Sequence, residues 1–199
     1  FVLGAALAAS AHAQTGSRLS VEVRGGAGFP TGSFGAGQTI DTNGACCLHN
    51  STGWNVTGSV LFAVTSNLEV YAGYRHDEFS VDNPAGPASW HPVDDGVAAG
   101  MRLGLPVRVG ARFRPFAEAG VMLSNARTVS DRDDVLPTDA REGFEVGGGL
   151  AVNLARRFSL TPAVRYRKHK THVRAGMGFQ AANGEVAYLS ADVGLQFRP

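Results

Sequence analysis

Glu22, Glu69, Glu118, Glu145 and Asp192, set against Arg24, Arg75, Arg102, Arg165 and Arg167, are the side chains best able to act together in this sequence. Five carboxylates and five guanidiniums could pass an ion or a proton along a path. They could also neutralise one another in a dry interior, because a charge taken out of water must be paired. Other constellations are thinner. Cys46-Cys47 with His49 falls short of the four ligands at defined spacing that a zinc site needs, and a vicinal disulfide is strained. His49 and Ser51 form a His-x-Ser pair that Asp77 or Glu78 could orient, but spacing places no third partner for nucleophilic catalysis. Asp131, Asp133 and Asp134 lack the glycine and spaced ligands of a calcium loop. Lys168, Lys170 and Arg174, with His169, His172, Arg127, Arg132 and Arg141, form a cationic group suited to lipid phosphates. Neither a cofactor nor a metal is expected.

The elements that must position these residues repeat every two positions. Apolar residues alternate through Leu19–Phe29, Trp54–Val64, Leu68–Tyr74, Val97–Leu105, Pro115–Leu123, Phe144–Leu154, Phe158–Tyr166 and Ala187–Phe197. That is an even number of strands, eight. Their connections alternate between long polar segments (30–53, 75–96, 124–143, 167–186) and short ones such as Thr65-Ser66-Asn67 and Ala155-Arg156-Arg157. Such an alternation suits an up-and-down barrel with loops at one end and turns at the other. Pro162, mid-strand, requires a bulge or a missing ladder hydrogen bond.

The phase of these strands decides what surrounds them. The apolar phases hold no charged residue, although the chain is 18% charged. The opposite phases are Gly, Ala and Ser with isolated charges, which suits a narrow, filled interior better than a wetted face. Phe29, Trp54, Tyr74, Phe144 and Tyr166 fall at the loop end of the apolar phases; Phe62, Phe158 and Phe197 fall at the turn end. Two aromatic girdles around an aliphatic band match the two interfaces of a membrane. The expected fold is an all-β, eight-stranded antiparallel transmembrane barrel.

Residues 1–13 are apolar and close on Ala11-His12-Ala13, a small-x-small cleavage pattern. They are expected to be a signal peptide truncated at its start, with the barrel domain at 14–199. A net charge of +1, from 18 Lys+Arg against 17 Asp+Glu, offers nothing to a nucleic acid.

The sequence resembles the small eight-stranded outer-membrane β-barrels, the OmpA-type transmembrane domain and opacity-like surface proteins. The sharpest likeness is the end of the chain, where Asp192, Gly194 and Phe197 are similar to the C-terminal signal read by the outer-membrane assembly machinery, followed here by Arg198 and Pro199. The resemblance implies integral insertion in the cell outer membrane, export through a signal peptide, and contact with outer-membrane lipid or lipopolysaccharide. It implies a structural or surface-interaction role, with an extracellular partner that sequence does not name. A narrow pore for small or apolar solutes is the alternative, and a lipid A-modifying enzyme, as some such barrels are, is the third. Within the lumen, Glu69 is expected to pair with Arg102, Glu145 with Arg167 or Arg165, and Asp192 with Arg24.

Overall fold

The computed structural model describes residues 18–32, 49–82, 90–106, 112–130, 135–136, 139–173 and 182–199. The expected signal peptide, Cys46-Cys47, the 131–134 acidic group with Arg132, and Arg174 lie outside the described residues. Eight long strands are present: β1 (Leu19–Pro30), β2 (Gly53–Ala63), β3 (Leu68–Glu78), β4 (Trp90–Gly104), β5 (Phe113–Ser130), β6 (Arg141–Asn153), β7 (Phe158–Val173) and β8 (Ala182–Phe197). They run β4-β3-β2-β1-β8-β7-β6-β5, and β4 pairs with β5 to close the sheet. Every neighbouring pair is antiparallel. Closure leaves none of these long strands with an open edge, as hydrocarbon requires.

The short turns are locally determined. Between β2 and β3 the Val64 amide donates to the Leu68 carbonyl at 2.8 Å, and Thr65 Oγ1 accepts from the Leu68 amide at 3.0 Å. Thr in this position stabilises a tight reversal by bonding its own backbone. Strands β1 and β8 meet so that Val21 faces Phe197, which puts the start of β1 and the end of β8 at the turn end of the barrel.

The apolar phase faces outward. Val23, Val60, Val97, Val121, Val146, Val164 and Val193 are all exposed, as are Phe29, Trp54, Tyr74 and Phe144 at the loop end and Phe62 and Phe158 at the turn end. Ala187 departs from this phase by being buried. Pro162 introduces no bulge: pairing with β6 lapses between Leu160 and Ala163, then resumes in the same register, while Pro162 still faces Val193 on β8.

The strands run further than alternation suggests. Strands β4, β5, β7 and β8 hold 15, 18, 16 and 16 residues, whereas about 9–11 suffice to cross a bilayer. The surplus lies at the loop end, so much of the segments expected to be loops at 75–96, 124–143 and 167–186 is strand. Above the aliphatic band the outward face becomes polar, with His76, Asp95, Asn125 and Lys168. The apolar period therefore stops there while the hydrogen-bonded ladder continues.

Candidate functional site

The lumen holds two layers of ionic side chains. In the layer nearer the turns, Arg102 of β4 grips Glu22 of β1 with Nη1 and Nη2 at 3.0 Å each and donates from Nε to Glu118 of β5 at 3.2 Å. Arg24 of β1 donates to Glu22 and, across the lumen, to Glu118 at 3.1 Å. Arg165 of β7 donates to Glu118 as well, and Thr161 donates to Glu22 at 3.2 Å. The guanidinium of Arg102 also lies 4.6 Å above the Phe116 ring. These side chains are almost fully withdrawn from solvent.

In the layer nearer the loops, Arg75 of β3 donates to Asp77 at 2.7 Å, to Asp94 of β4 at 2.6 Å, and to Ser124 and Tyr188. Arg167 of β7 donates to Glu145 at 3.2 Å, to Asp77 at 3.3 Å and to Ser190 at 3.3 Å. His169 sits 3.0 Å from Asp94 through Nε2. Above this layer Phe79, Val186 and Tyr188 form a buried apolar cluster, with the Phe79 and Tyr188 rings edge to face at 5.0 Å.

One rung shows how the lumen makes room for its contents. Tyr71, Gly100, Gly120 and Glu145 stand opposite one another along β3, β4, β5 and β6. The Tyr71 hydroxyl reaches over both glycines and donates to Glu145 at 2.6 Å. A Cβ at Gly100 or Gly120 would stand 2.6 or 2.5 Å from that hydroxyl. Glycine is needed at both positions because the tyrosine occupies the space a side chain would take.

All ten charges assigned to the lumen from sequence face inward. Glu69 stands opposite Arg102, but at 3.8 Å, and its closer partner is Arg198 at 2.8 Å. Glu145 meets Arg167, its direct cross-strand neighbour. The expected pairing of Asp192 with Arg24 is not made. Asp192 faces Gly26 and Arg24 faces Gly194, so the two are offset; Asp192 lies 3.8 Å from Arg165 instead. Asp77, Asp94 and His169 belong to the network and were missed because they fall in segments read as loops; Tyr188 belongs to it too, on the inward phase at the start of the last alternating run, and His169, expected among the cations for lipid phosphates, is instead buried against Asp94. Their parity with the inward phase was the available signal. Asp77 is also removed as an orienter for His49 and Ser51: it is buried between two arginines, while Ser51 Oγ donates to the Ser80 carbonyl at 3.3 Å.

A closed sheet that is aliphatic outside and ionic inside has one suitable solvent, a lipid bilayer. The molecule is thus a transmembrane β-barrel. The chain belongs to the family described as outer membrane protein beta-barrel domain, whose model matches residues 1–197. Among solved structures it is similar to Neisserial surface protein A (NspA), with a TM-score of 0.62 at 12% identity over 94% of this chain and 100% of that one. It is similar to outer membrane protein AlkL, with a TM-score of 0.57 at 16% identity over 96% and 94% of the two chains. It is similar also to outer membrane protein OprG from Pseudomonas aeruginosa, with a TM-score of 0.54 at 13% identity over 92% and 99%. At these identities the likeness is one of fold. Comparison with curated protein sequences gives no match.

Proposed function

We propose that this barrel is a non-conducting structural and surface-interaction protein, and that its lumen charges hold the walls together rather than pass ions. The carrying observation is the filling of the lumen. The cavity between the two ionic layers, lined by Thr57, Tyr71, Arg75, Arg102, Glu118 and Glu145, measures about 10 Å³. That is about the space of one water molecule. Eight strands leave room for side chains and little more. Arginines also interrupt any proton relay, since a guanidinium does not give up its proton. Reconstitution into a planar bilayer tests this: the expected result is no single-channel steps, and steady ohmic conductance would overturn it.

The alternative, a narrow pore for small or apolar solutes, draws on Asn55 and Thr57, which are buried in the lumen wall with side-chain polar atoms that have no protein partner. A pore opened along this wall would give those atoms water. Catalysis, by contrast, gains no support from His49 and Ser51: of the two candidate orienters, Asp77 is held by Arg75 and Arg167, and Glu78 lies 3.9 Å from His91.

Lipopolysaccharide is the proposed lipid partner of the loop end. Lys168 and Lys170 project outward from β7 beyond Tyr166, at headgroup height, and Lys168 is steadied by Glu185 at 3.0 Å. The assembly machinery is the proposed partner of the chain's end. Phe197 packs on Phe158 with ring centroids 5.1 Å apart, on the strand that closes the barrel. The motif residues also have packing roles: a Cβ at Gly194 would meet Arg24 Cγ at 2.6 Å, so its absence lets that side chain cross the lumen.

A further inference from the structure

On the outer wall, away from the lumen, β3, β4 and β5 carry a polar cluster built around Asp95. Its Oδ1 accepts from the Tyr74 hydroxyl at 2.9 Å and faces His76 Nδ1 at 2.6 Å; its Oδ2 is 2.8 Å from Arg127 Nη2. Trp54 of β2 lies against the His76 ring with centroids 5.0 Å apart. The cluster's height follows from the register. Tyr74, Val97 and Leu123 form the last outward rung of the lipid-facing band, and His76, Asp95 and Asn125 form the next one up. A rung above the aliphatic band, beside an interfacial Trp and Tyr, is the plane of lipid headgroups.

Two features distinguish this cluster from an ordinary surface ion pair. The carboxylate is the recessed member: the Asp95 side chain is 15% exposed, against 27% for His76 and 43% for Arg127. What faces the lipid is therefore the donor side of the group. The carboxylate also fixes directions. With Nδ1 turned to Asp95, the His76 Nε2 edge points away from it, and one arm of Arg127 is anchored while the rest of the guanidinium fork is displayed. A planar fork beside an imidazole edge matches the tetrahedral oxygens of a phosphate. Trp54 and Tyr74, both exposed, flank it where the lipid's acyl chains would begin.

We propose that Arg127 and His76, held by Asp95, form a binding site for the phosphate of a membrane lipid headgroup at the loop-end interface. The site is separate from Lys168 and Lys170 on β7, two strands further round from β5, so the two readings fail independently.

The test uses the full chain refolded in alkyl maltoside micelles, whose headgroups carry no phosphate. Short-chain phosphatidic acid is titrated in, and the His76 ring resonances are followed by NMR. A saturable shift is expected. Arg127→Gln should weaken binding about tenfold, the scale of one charge-assisted hydrogen bond. Arg127→Lys, which keeps the charge but not the fork, and Asp95→Asn, which loosens both donors, should weaken it to a lesser degree. Lys168→Gln with Lys170→Gln should leave the affinity unchanged. Heat-modified electrophoretic mobility checks that each variant is folded. Three results would overturn the proposal: Arg127→Gln binding as the parent does, the β7 double variant abolishing the shift, or inorganic phosphate binding as tightly as the lipid.

Discussion

Glu118 is the residue on which the turn-side layer depends most, because Arg24, Arg102 and Arg165 all donate to it. Glu118→Gln leaves three buried guanidiniums short of a counter-charge and should cost about 3–5 kcal/mol, measured by urea unfolding from micelles. An unchanged midpoint would mean that water reaches this layer. Arg102 has two carboxylate neighbours on different terms, a bidentate grip on Glu22 and a 3.8 Å approach to Glu69. Double-mutant cycles should therefore give a larger coupling for Glu22 with Arg102 than for Glu69 with Arg102. The reverse order would place the guanidinium nearer the turn-end mouth than the structure does. At the glycine rung, Gly120→Val drives a side chain into the Tyr71 hydroxyl and should destabilise by about 1–3 kcal/mol. Combining it with Tyr71→Ala should restore part of that loss, since the space is then vacated; strictly additive losses would refute the crossing.

Each strand separates its surroundings by parity. Val60 is outward and half exposed in the middle of β2, while Leu61, its neighbour, is fully buried. Val60→Arg near the midplane places a charge in hydrocarbon without a partner and should cost about 2–4 kcal/mol in refolding into lipid vesicles. Refolding indistinguishable from the parent would show that this wall is not in lipid. Parity was legible in the sequence for all eight strands, because one face meets lipid and the other meets a packed lumen. Strand ends were legible at the turn side, and at the loop side of β1 and β2, where apolar alternation and hydrogen-bond ladder stop together. At the loop side of β3 to β8 they part company, since a barrel wall standing above the membrane has polar residues on both faces. Asp94 shows the consequence: it has the inward parity of β4, lies beyond the run that starts at Val97, and meets both Arg75 and His169.

For the whole molecule, an even number of strands returns the chain to the end from which it started, and the register of Val21 with Phe197 shows that return. With the long connections outside the cell, protease applied to intact cells should cut in the segments that join β1 to β2, β3 to β4, β5 to β6 and β7 to β8. Cutting at Ser66-Asn67 or Arg156-Arg157 would reverse the orientation. The same closure governs permeability, as the layers that tie the walls together also occupy the lumen. Sequence reading paired charges only on adjacent strands. The structure pairs them across the lumen: Arg24 on β1 with Glu118 on β5, Arg167 on β7 with Asp77 on β3, His169 on β7 with Asp94 on β4.

What the sequence determined by itself was the part of the architecture with a local cause. A two-residue period assigns every side chain a face, short connections make turns, and a charge-free face edged by two aromatic girdles, backed by a phase of small residues, suits lipid. Those inferences need only the chain's own pleat. The tertiary structure alone decided which charges meet, because that depends on how far each strand is staggered against the next when the sheet closes. A stagger of two residues is enough to set Asp192 opposite Gly26 and Arg24 opposite Gly194. Closure also brings opposite walls within the reach of one arginine, so residues that no spacing along the chain relates become partners.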